Sequence, residues 1–257
     1  MVRTFTSIIV LALSLSVSTV YGAIPQDEFN RVIDRINTHY NLNVIRLWES
    51  DTVNGEAYGK GEQNLTIKLH GGLARHKDMT RDSLALIVCH EIGHLKGGAP
   101  LKFKETPEYS PSIESQSDYF AALKCFRKFA EGDDHEKLLV NINVPPYVND
   151  SCESAWRKTN EVALCKRTAM AGWAMMNVFK DLMSDKTILN FSTPDLTITE
   201  RTYKYHADLQ CRLDTIFQAA LCPVSHKMNI SDVDETKGVC HPDNGHNTGY
   251  RPSCWYK

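Results

Sequence analysis

Two histidines flank a glutamate in the stretch "LIVCHEIGHLKGG", residues 86–98. An α-helix repeats every 3.6 residues, so His90 and His94 would stand one above the other on one face and could offer two nitrogens to one metal ion. Glu91 is rotated by about 100 degrees from His90, beside the metal, where it can take a proton from a zinc-bound water. The alternative is a buried helix that happens to contain polar residues, and the motif alone does not decide between the two.

A catalytic zinc site needs a third protein ligand. In one known spacing this ligand is a histidine six residues after the second one, but Pro100 occupies that position and cannot bind zinc. In the other spacing a glutamate comes from a second helix, with an aspartate one turn later. Glu114 and Asp118 in "SIESQSDYF" have this spacing. A solvated acidic face is the alternative interpretation, and the apolar residues around the pair weaken it.

The two helices would have to run antiparallel to bring these residues together. Glu114 then meets His94 and the metal. Asp118 lies near His90 and accepts its other ring N–H, which fixes the tautomer and the orientation of that histidine. The spacing therefore predicts a zinc site at a helix–helix contact, with His90 and His94 as ligands from one helix and Glu114 as the ligand from the other.

A small sheet and several helices are predicted to position the site. Apolar residues recur at helical spacing from Pro25 onward, and an extended run at residues 42–48 precedes an alternating strand pattern at residues 64–70. The glycine-rich stretch 55–61 indicates a turn region. We predict an α+β fold, mainly helical, with a small β-sheet beside the histidine-bearing helix and a disulfide-stapled C-terminal part. Further helices are predicted at about residues 80–96, 112–130, 153–184 and 207–221.

Composition and the first residues indicate an exported globular protein. The chain has 257 residues and a formal net charge of -2, which does not favour a nucleic-acid partner. Arg3, an apolar run at residues 8–20 and Gly22 have the layout of a signal peptide over residues 1–22. A membrane anchor is the alternative, but the run is shorter than the roughly 20 apolar residues that a bilayer needs. We expect a single domain at residues 23–257, periplasmic or secreted, without stable membrane insertion.

All eight cysteines follow the predicted signal peptide, and an even number in an exported chain favours disulfides. Short local loops suggest pairing Cys152 with Cys165, Cys211 with Cys222 and Cys240 with Cys254. Cys89 and Cys125 remain, and the antiparallel alignment of the two predicted metal helices would place them on neighbouring turns. Free buried thiols are the alternative for some of them.

These motifs resemble gluzincin metallopeptidases of the HtpX-like and CAAX-prenyl-protease-like group. "NLTIKLHGGLARH" is similar to the family's edge strand and double glycine, "ALIVCHEIGHLKGG" to its metal helix, and "IESQSDYFAALK" to its ExxAD helix, with Ser117 where alanine is usual. "YHADLQCRLDTI" is similar to the HPxxxxR segment, with His206 and Arg212 at matching spacing and Ala207 in place of the proline. The family's membrane-spanning helices are absent from this sequence.

The resemblance implies a zincin-like metallopeptidase core with zinc as the cofactor. It places His206 near the zinc, either polarising the substrate carbonyl or occupying the open metal position, whereas an ordinary histidine is the alternative. Arg212 would pair with an acidic group near the site, or is merely a helix arginine. The predicted catalytic residues are Glu91 and His206, the predicted zinc ligands are His90, His94 and Glu114, and Asp118 is predicted to orient His90.

We therefore expect a zinc-dependent endopeptidase in which Glu91 acts as the general base. Its partner would be a peptide or protein substrate, bound as an added strand along residues 64–73. The alternative is a noncatalytic zinc-containing envelope module with a binding or chaperone-like role. Nothing in the sequence indicates the oligomeric state.

Overall fold

The computed structural model describes residues 23–60, 63–103 and 110–257, so the predicted signal peptide lies outside the described residues. These residues form the predicted α+β fold, mainly helical with one small sheet. The strands are β1 (Asn43–Leu47), β2 (Gly55–Lys60) and β3 (Gln63–His70). The helices are α1 (Gln26–Asn37), α2 (Gly71–Arg75), α3 (Arg81–Lys96), α4 (Glu114–Phe120), α5 (Phe126–Phe129), α6 (His135–Leu139), α7 (Pro146–Ala155), α8 (Thr159–Leu182) and α9 (Leu209–Leu221).

The sheet has the order β1-β3-β2, with β1 parallel and β2 antiparallel to the central β3. Two expectations were wrong here. The glycine-rich stretch forms the strand β2 rather than a turn, because β3 supplies a long pairing partner that outweighs the low strand propensity of glycine. The strand β3 is paired on both sides, so it cannot accept a substrate strand along residues 64–73. The edge that lines the cleft is β2.

Helix α3 is buried on nearly all sides, which places two histidines and a glutamate deep in the molecule. It begins with a capping box, in which the Thr80 side chain accepts from the Ser83 N–H while the Ser83 side chain accepts from the Thr80 N–H. Gly93 faces α4 at close range. A Cβ built on Gly93 would lie 2.8 Å from Ser117 Cα, so only glycine lets α3 and α4 approach this closely.

The helix that carries Glu114 and Asp118 continues beyond α4 through a π-helical stretch, Ala121–Cys125, into α5. This confirms the predicted helix of about residues 112–130, apart from its terminal residues. The extra residue in the π-helical turn changes the direction of the following side chains. Lys124 within this stretch and Arg127 beyond it reach the end of α9 and the residues that follow. There Lys124 Nζ donates to Ser225 O, and Arg127 donates to carbonyls including Ala219 O.

One helix expected at about residues 153–184 is interrupted. Helix α7 ends at Ala155, and α8 starts at Thr159, because Trp156 takes an extended backbone conformation and its indole N–H donates to Ala220 O. Helix α8 then carries the fully buried Arg167 to the start of α3. There the guanidinium donates to both carboxylate oxygens of Asp82 at 2.6 and 2.7 Å.

Four disulfides connect the helices and the C-terminal tail. The predicted pairs Cys89–Cys125 and Cys152–Cys165 are confirmed, and the first joins α3 directly to the π-helical stretch. The other two predicted pairs were wrong, because the tail folds back over α9 instead of closing short loops. The observed bonds are Cys211–Cys254 and Cys222–Cys240.

Disulfides of this number are typical of an oxidising, exported environment. Among the residues that the structure describes, none of the helices combines the length and apolar character needed to cross a bilayer.

Candidate metal centre

Three imidazoles converge on a single carboxylate oxygen, Glu114 Oε2. The Nε2 atoms of His90, His94 and His206 lie 3.4, 3.5 and 3.1 Å from it. Helix α3 supplies the first two rings, α4 supplies the carboxylate from its first residue, and the segment before α9 supplies His206. Ligands bonded at about 2.0–2.1 Å to one tetrahedral ion are separated by about 3.3 Å, which matches these distances.

The other ring nitrogen, Nδ1, of each α3 histidine donates a hydrogen bond. His90 Nδ1 lies 2.8 Å from Asp118 Oδ1, and His94 Nδ1 lies 3.0 Å from the backbone carbonyl oxygen of Ser112. An ionised carboxylate and a carbonyl can only accept, so both Nδ1 atoms carry the proton. In the neutral rings the Nε2 lone pairs therefore point toward Glu114.

Glu114 Oε2 is buried and has no hydrogen-bond partner among the described residues. A buried carboxylate oxygen surrounded by nitrogen lone pairs is unfavourable unless a cation lies between them. His90, His94 and Glu114 offer atoms close enough together for one ion. Two nitrogens and one oxygen are donors that zinc accepts, so the residues fit the predicted metal.

Asp118 is fully buried and links the site to α9. Its carboxylate accepts from Arg212 Nε at 2.8 Å and from Arg212 Nη2 at 2.9 Å, in addition to His90. Burial alone raises the pKa of Asp118, but the charges of Arg212 and His90 outweigh it and lower the pKa to about 2. The carboxylate is therefore ionised and orients the His90 ring, and Arg212 has the acidic partner that the resemblance suggested.

The carboxylates of Glu114 and Asp118 favour the presence of positive charge at the site. Burial lowers the pKa of His90, yet Asp118 and Glu114 more than offset this and raise the pKa to about 10. Burial raises the pKa of Glu114, but the three neighbouring histidines shift it well below its ordinary value. A proton or a metal ion can supply this charge, and the close grouping of the donor atoms of His90, His94 and Glu114 favours the ion.

Glu91 lies next to this cluster, buried on α3 and lining the cleft. Burial raises its pKa, and the nearby histidines only partly oppose this. Its side chain rests against the first residue of β2, because a Cβ built on Gly55 would lie 3.0 Å from both Glu91 Cγ and Oε1. The glycine in β2 thus leaves the room that the Glu91 carboxylate occupies, a role that the sequence interpretation of Gly55 as a turn residue missed.

A cleft of about 850 Å³ opens over the cluster. It is lined by β2, by the histidine-bearing part of α3, by the end of α8 and by residues 204–209. A cleft of this size, in which several polar groups converge, is typical of a ligand or active site. The Ser112 carbonyl, which orients His94, is a further site group that the sequence did not indicate, since carbonyl positions depend on tertiary structure.

The structure thus places all six residues singled out in the sequence within one site. His206 differs from the others in that its side chain is two-thirds exposed (66%), at the end of the irregular connection between α8 and α9.

Comparison of the chain with models of known protein families, with curated proteins and with solved structures finds no match. The resemblance to gluzincins therefore remains a prediction based on the motifs.

Proposed function

We propose that this protein is a zinc-dependent endopeptidase with a zincin-like core of the gluzincin type. The observation that carries the proposal is the buried, unpartnered Glu114 Oε2, which is surrounded by imidazole Nε2 atoms. A second glutamate, the buried Glu91, directly follows His90 on α3. A structural zinc site has no use for that neighbouring glutamate or for an open cleft.

The residues that would hold the ion are His90, His94 and Glu114. Bound there, zinc would supply a water with a pKa of about 7 and polarisation of the substrate carbonyl. The chain supplies the orientation: Asp118 and the Ser112 carbonyl fix the two imidazoles through their Nδ1–H groups.

Glu91 is the proposed general base. Burial raises the pKa of its carboxyl group, which makes the carboxylate a stronger proton acceptor than an exposed one. It takes a proton from the attacking water and passes it to the nitrogen of the leaving amine, so that one carboxylate serves both halves of the hydrolysis. Gly55 keeps the volume free in which this side chain lies.

The substrate would lie along the edge strand β2 and not along the central strand β3. The strand β2 pairs with β3 on one side only, and its other side borders the cleft. Unpaired N–H and C=O groups on an edge strand pair well with an extended peptide, and they leave its side chains free to enter pockets. A peptide aligned this way passes directly over Glu91 and the metal-site histidines.

His206 is proposed to act on the substrate carbonyl. Its ring lines the cleft, with Nε2 3.1 Å from Glu114 Oε2. A donor at this point can hydrogen-bond to the oxygen that gains charge as the carbonyl is attacked. The three remaining donors suffice to hold the ion, as in other catalytic zinc sites.

The mutation Glu91→Gln tests the proposal because it keeps the size of the side chain and removes its basicity. We expect zinc content near one ion per chain in the wild type and in Glu91→Gln, with casein turnover reduced by about 10²-fold to 10⁴-fold in the variant. Glu49→Gln, outside the cleft lining, is the matched control and should leave turnover unchanged. A wild-type protein that binds zinc but cleaves neither casein nor peptides would instead indicate the noncatalytic envelope module.

The proposed location is the periplasm or the exterior of the cell. Four disulfides support it, because such bonds persist in oxidising compartments.

A further inference from the structure

A second cavity of about 940 Å³ lies beside α8, outside the metal centre. Its walls come from the start of α1, the start of α3, the end of α6 and one face of α8. Its volume is near the upper end of the range for ligand-binding cavities. Neither the metal site nor the core packing accounts for an opening of this size.

The surface that this cavity offers is mainly apolar. Its lining includes Leu138, Ile142, Met170 and Trp173, and Leu138 is 40% exposed. Four charged groups deep in the wall form two ion pairs: Arg81 Nε donates to Glu28 at 2.8 Å, and Arg167 donates to Asp82. Because these pairs are satisfied and most of the lining is apolar, apolar contact supplies most of the available binding free energy.

The cavity adjoins the cleft at the end of α8. Asp185, just beyond this helix, lines both of them. On the cleft side of the same turn, Leu182 and Met183 are 46% and 58% exposed, which is high for large apolar side chains in a cleft wall. On the other side, Lys180 and Asp181 line the second cavity. An extended chain that leaves the cleft can therefore cross one helix end and enter the second cavity.

We infer that the second cavity is an exosite that binds an apolar segment of a polypeptide substrate, several residues away from the bond that is cut. This inference rests on the proposed peptidase function and names its substrate class: unfolded or extended polypeptides with apolar segments, rather than short peptides. A polypeptide is the occupant that the structure favours, because Leu182, Met183 and Asp185 connect the cleft with the second cavity. An extended chain can occupy both at once, whereas a small ligand would use only one of them.

Leu138→Asp tests the exosite, since it places a charge in the apolar wall at a position exposed enough to tolerate it. Two substrates are compared: casein, and a six-residue quenched peptide that is about 20 Å long when extended. We expect kcat/KM to fall about fivefold to tenfold more for casein than for the peptide, mostly through KM. Ile142→Asp provides a second variant with the same expected split.

Val140→Asp is the matched control, because Val140 is 75% exposed and outside the residues that line either cavity. It should change kcat/KM for neither substrate. Equal losses for casein and the peptide in Leu138→Asp, or no loss for either, would overturn the exosite.

Binding to the inactive Glu91→Gln protein separates this inference from the proposed function. Labelled casein should bind the Glu91→Gln protein. In the double variant that also carries Leu138→Asp, the dissociation constant for casein should rise about fivefold to tenfold. This outcome would support the exosite even if the wild type cleaved nothing. The inference would be overturned if Leu138→Asp left the affinity for casein unchanged but abolished binding of a fatty-acid probe. That result would show a small-molecule site.

Discussion

Asp118 lies between His90 and Arg212 and binds both, at 2.8 Å from His90 Nδ1 and at 2.8 and 2.9 Å from two nitrogens of the guanidinium. The three residues come from α3, α4 and α9, so the orientation of one metal-site imidazole depends on the packing of three helices. Arg212 also stacks on Phe179 of α8, with its guanidinium carbon 4.8 Å from the ring centroid.

Asp118→Asn should weaken zinc binding about 10-fold to 100-fold, because an amide can no longer hold the His90 Nδ1–H and the guanidinium with full charge. Competition with a chelator of known affinity measures this change. Asp232→Asn, at an exposed loop position, is the control and should leave affinity unchanged. Unaltered zinc affinity in Asp118→Asn would show that His90 is held by packing alone.

His206→Ala should lower kcat by about 10²-fold while the protein retains one zinc ion per chain. The reason is that the carbonyl loses a hydrogen-bond donor, whereas His90, His94 and Glu114 still bind the metal. Steady-state kinetics and metal analysis on the same sample check both parts. Loss of zinc together with activity would make His206 a required metal ligand and contradict its role in acting on the carbonyl.

Gly55→Ala should reduce kcat by about tenfold and leave zinc content unchanged, because the new Cβ displaces the Glu91 side chain by a few tenths of an ångström. Gly55→Val should reduce kcat further, since its branched side chain fills more of the same space. Kinetics at saturating peptide measure the effect. A kcat that does not fall along the series Gly, Ala, Val would mean that Glu91 is placed independently of β2.

Replacing Cys89 and Cys125 together by alanine should lower the free energy of unfolding by about 3–4 kcal/mol, the loop entropy expected for a separation of 36 residues. Zinc affinity should fall as well, because this bond joins the two metal-site helices. The double replacement of Cys222 and Cys240, separated by 18 residues, is the control: we expect about 3 kcal/mol. Urea unfolding and chelator competition measure the two quantities. Equal zinc affinities in both variants would argue against a positioning role for Cys89–Cys125.

Lys124 predicts a pH dependence of stability. Burial, together with the charges of Arg127 and Lys128, lowers its pKa to about 7. Between about pH 7 and 10.5 the unfolded chain holds this proton and the folded chain releases it, so stability rises with pH across that range. Below pH 7 both states are protonated, and the folded protein carries the full cost of burying the charge.

Lys124→Met should remove this rise and should stabilise the protein most at low pH, although it also loses the bond to Ser225 O. Urea unfolding at pH 6.5 and pH 9.5 measures the free energy of unfolding of the wild type and the variant. The difference between these two free energies should be smaller at pH 9.5 by more than about 1 kcal/mol. Lys237→Met, whose side chain is 74% exposed, is the control. A difference that stays constant between the two pH values would show that Lys124 does not titrate in this range.

The sequence by itself determined the helices and the candidate ligands. The spacing of four between His90 and His94, and between Glu114 and Asp118, indicates one face of each helix whatever the remaining chain does. Periodicity located α3 and the α4–α5 helix, and the antiparallel alignment of these helices brought Cys89 next to Cys125. Such features depend on local geometry, which a few neighbouring residues specify.

Only the tertiary structure decided which strand lies at the edge, how the tail is bonded, and what orients the imidazoles. The glycines of β2 predict a turn because glycine favours chain reversal locally, whereas pairing with β3 gives the segment strand geometry. The bonds Cys211–Cys254 and Cys222–Cys240 depend on how the tail packs on α9, and loop length does not encode that packing. The Ser112 carbonyl contacts His94 through a loop, and a backbone group has no signature in the sequence. Long-range packing chooses among pairings that are locally equivalent.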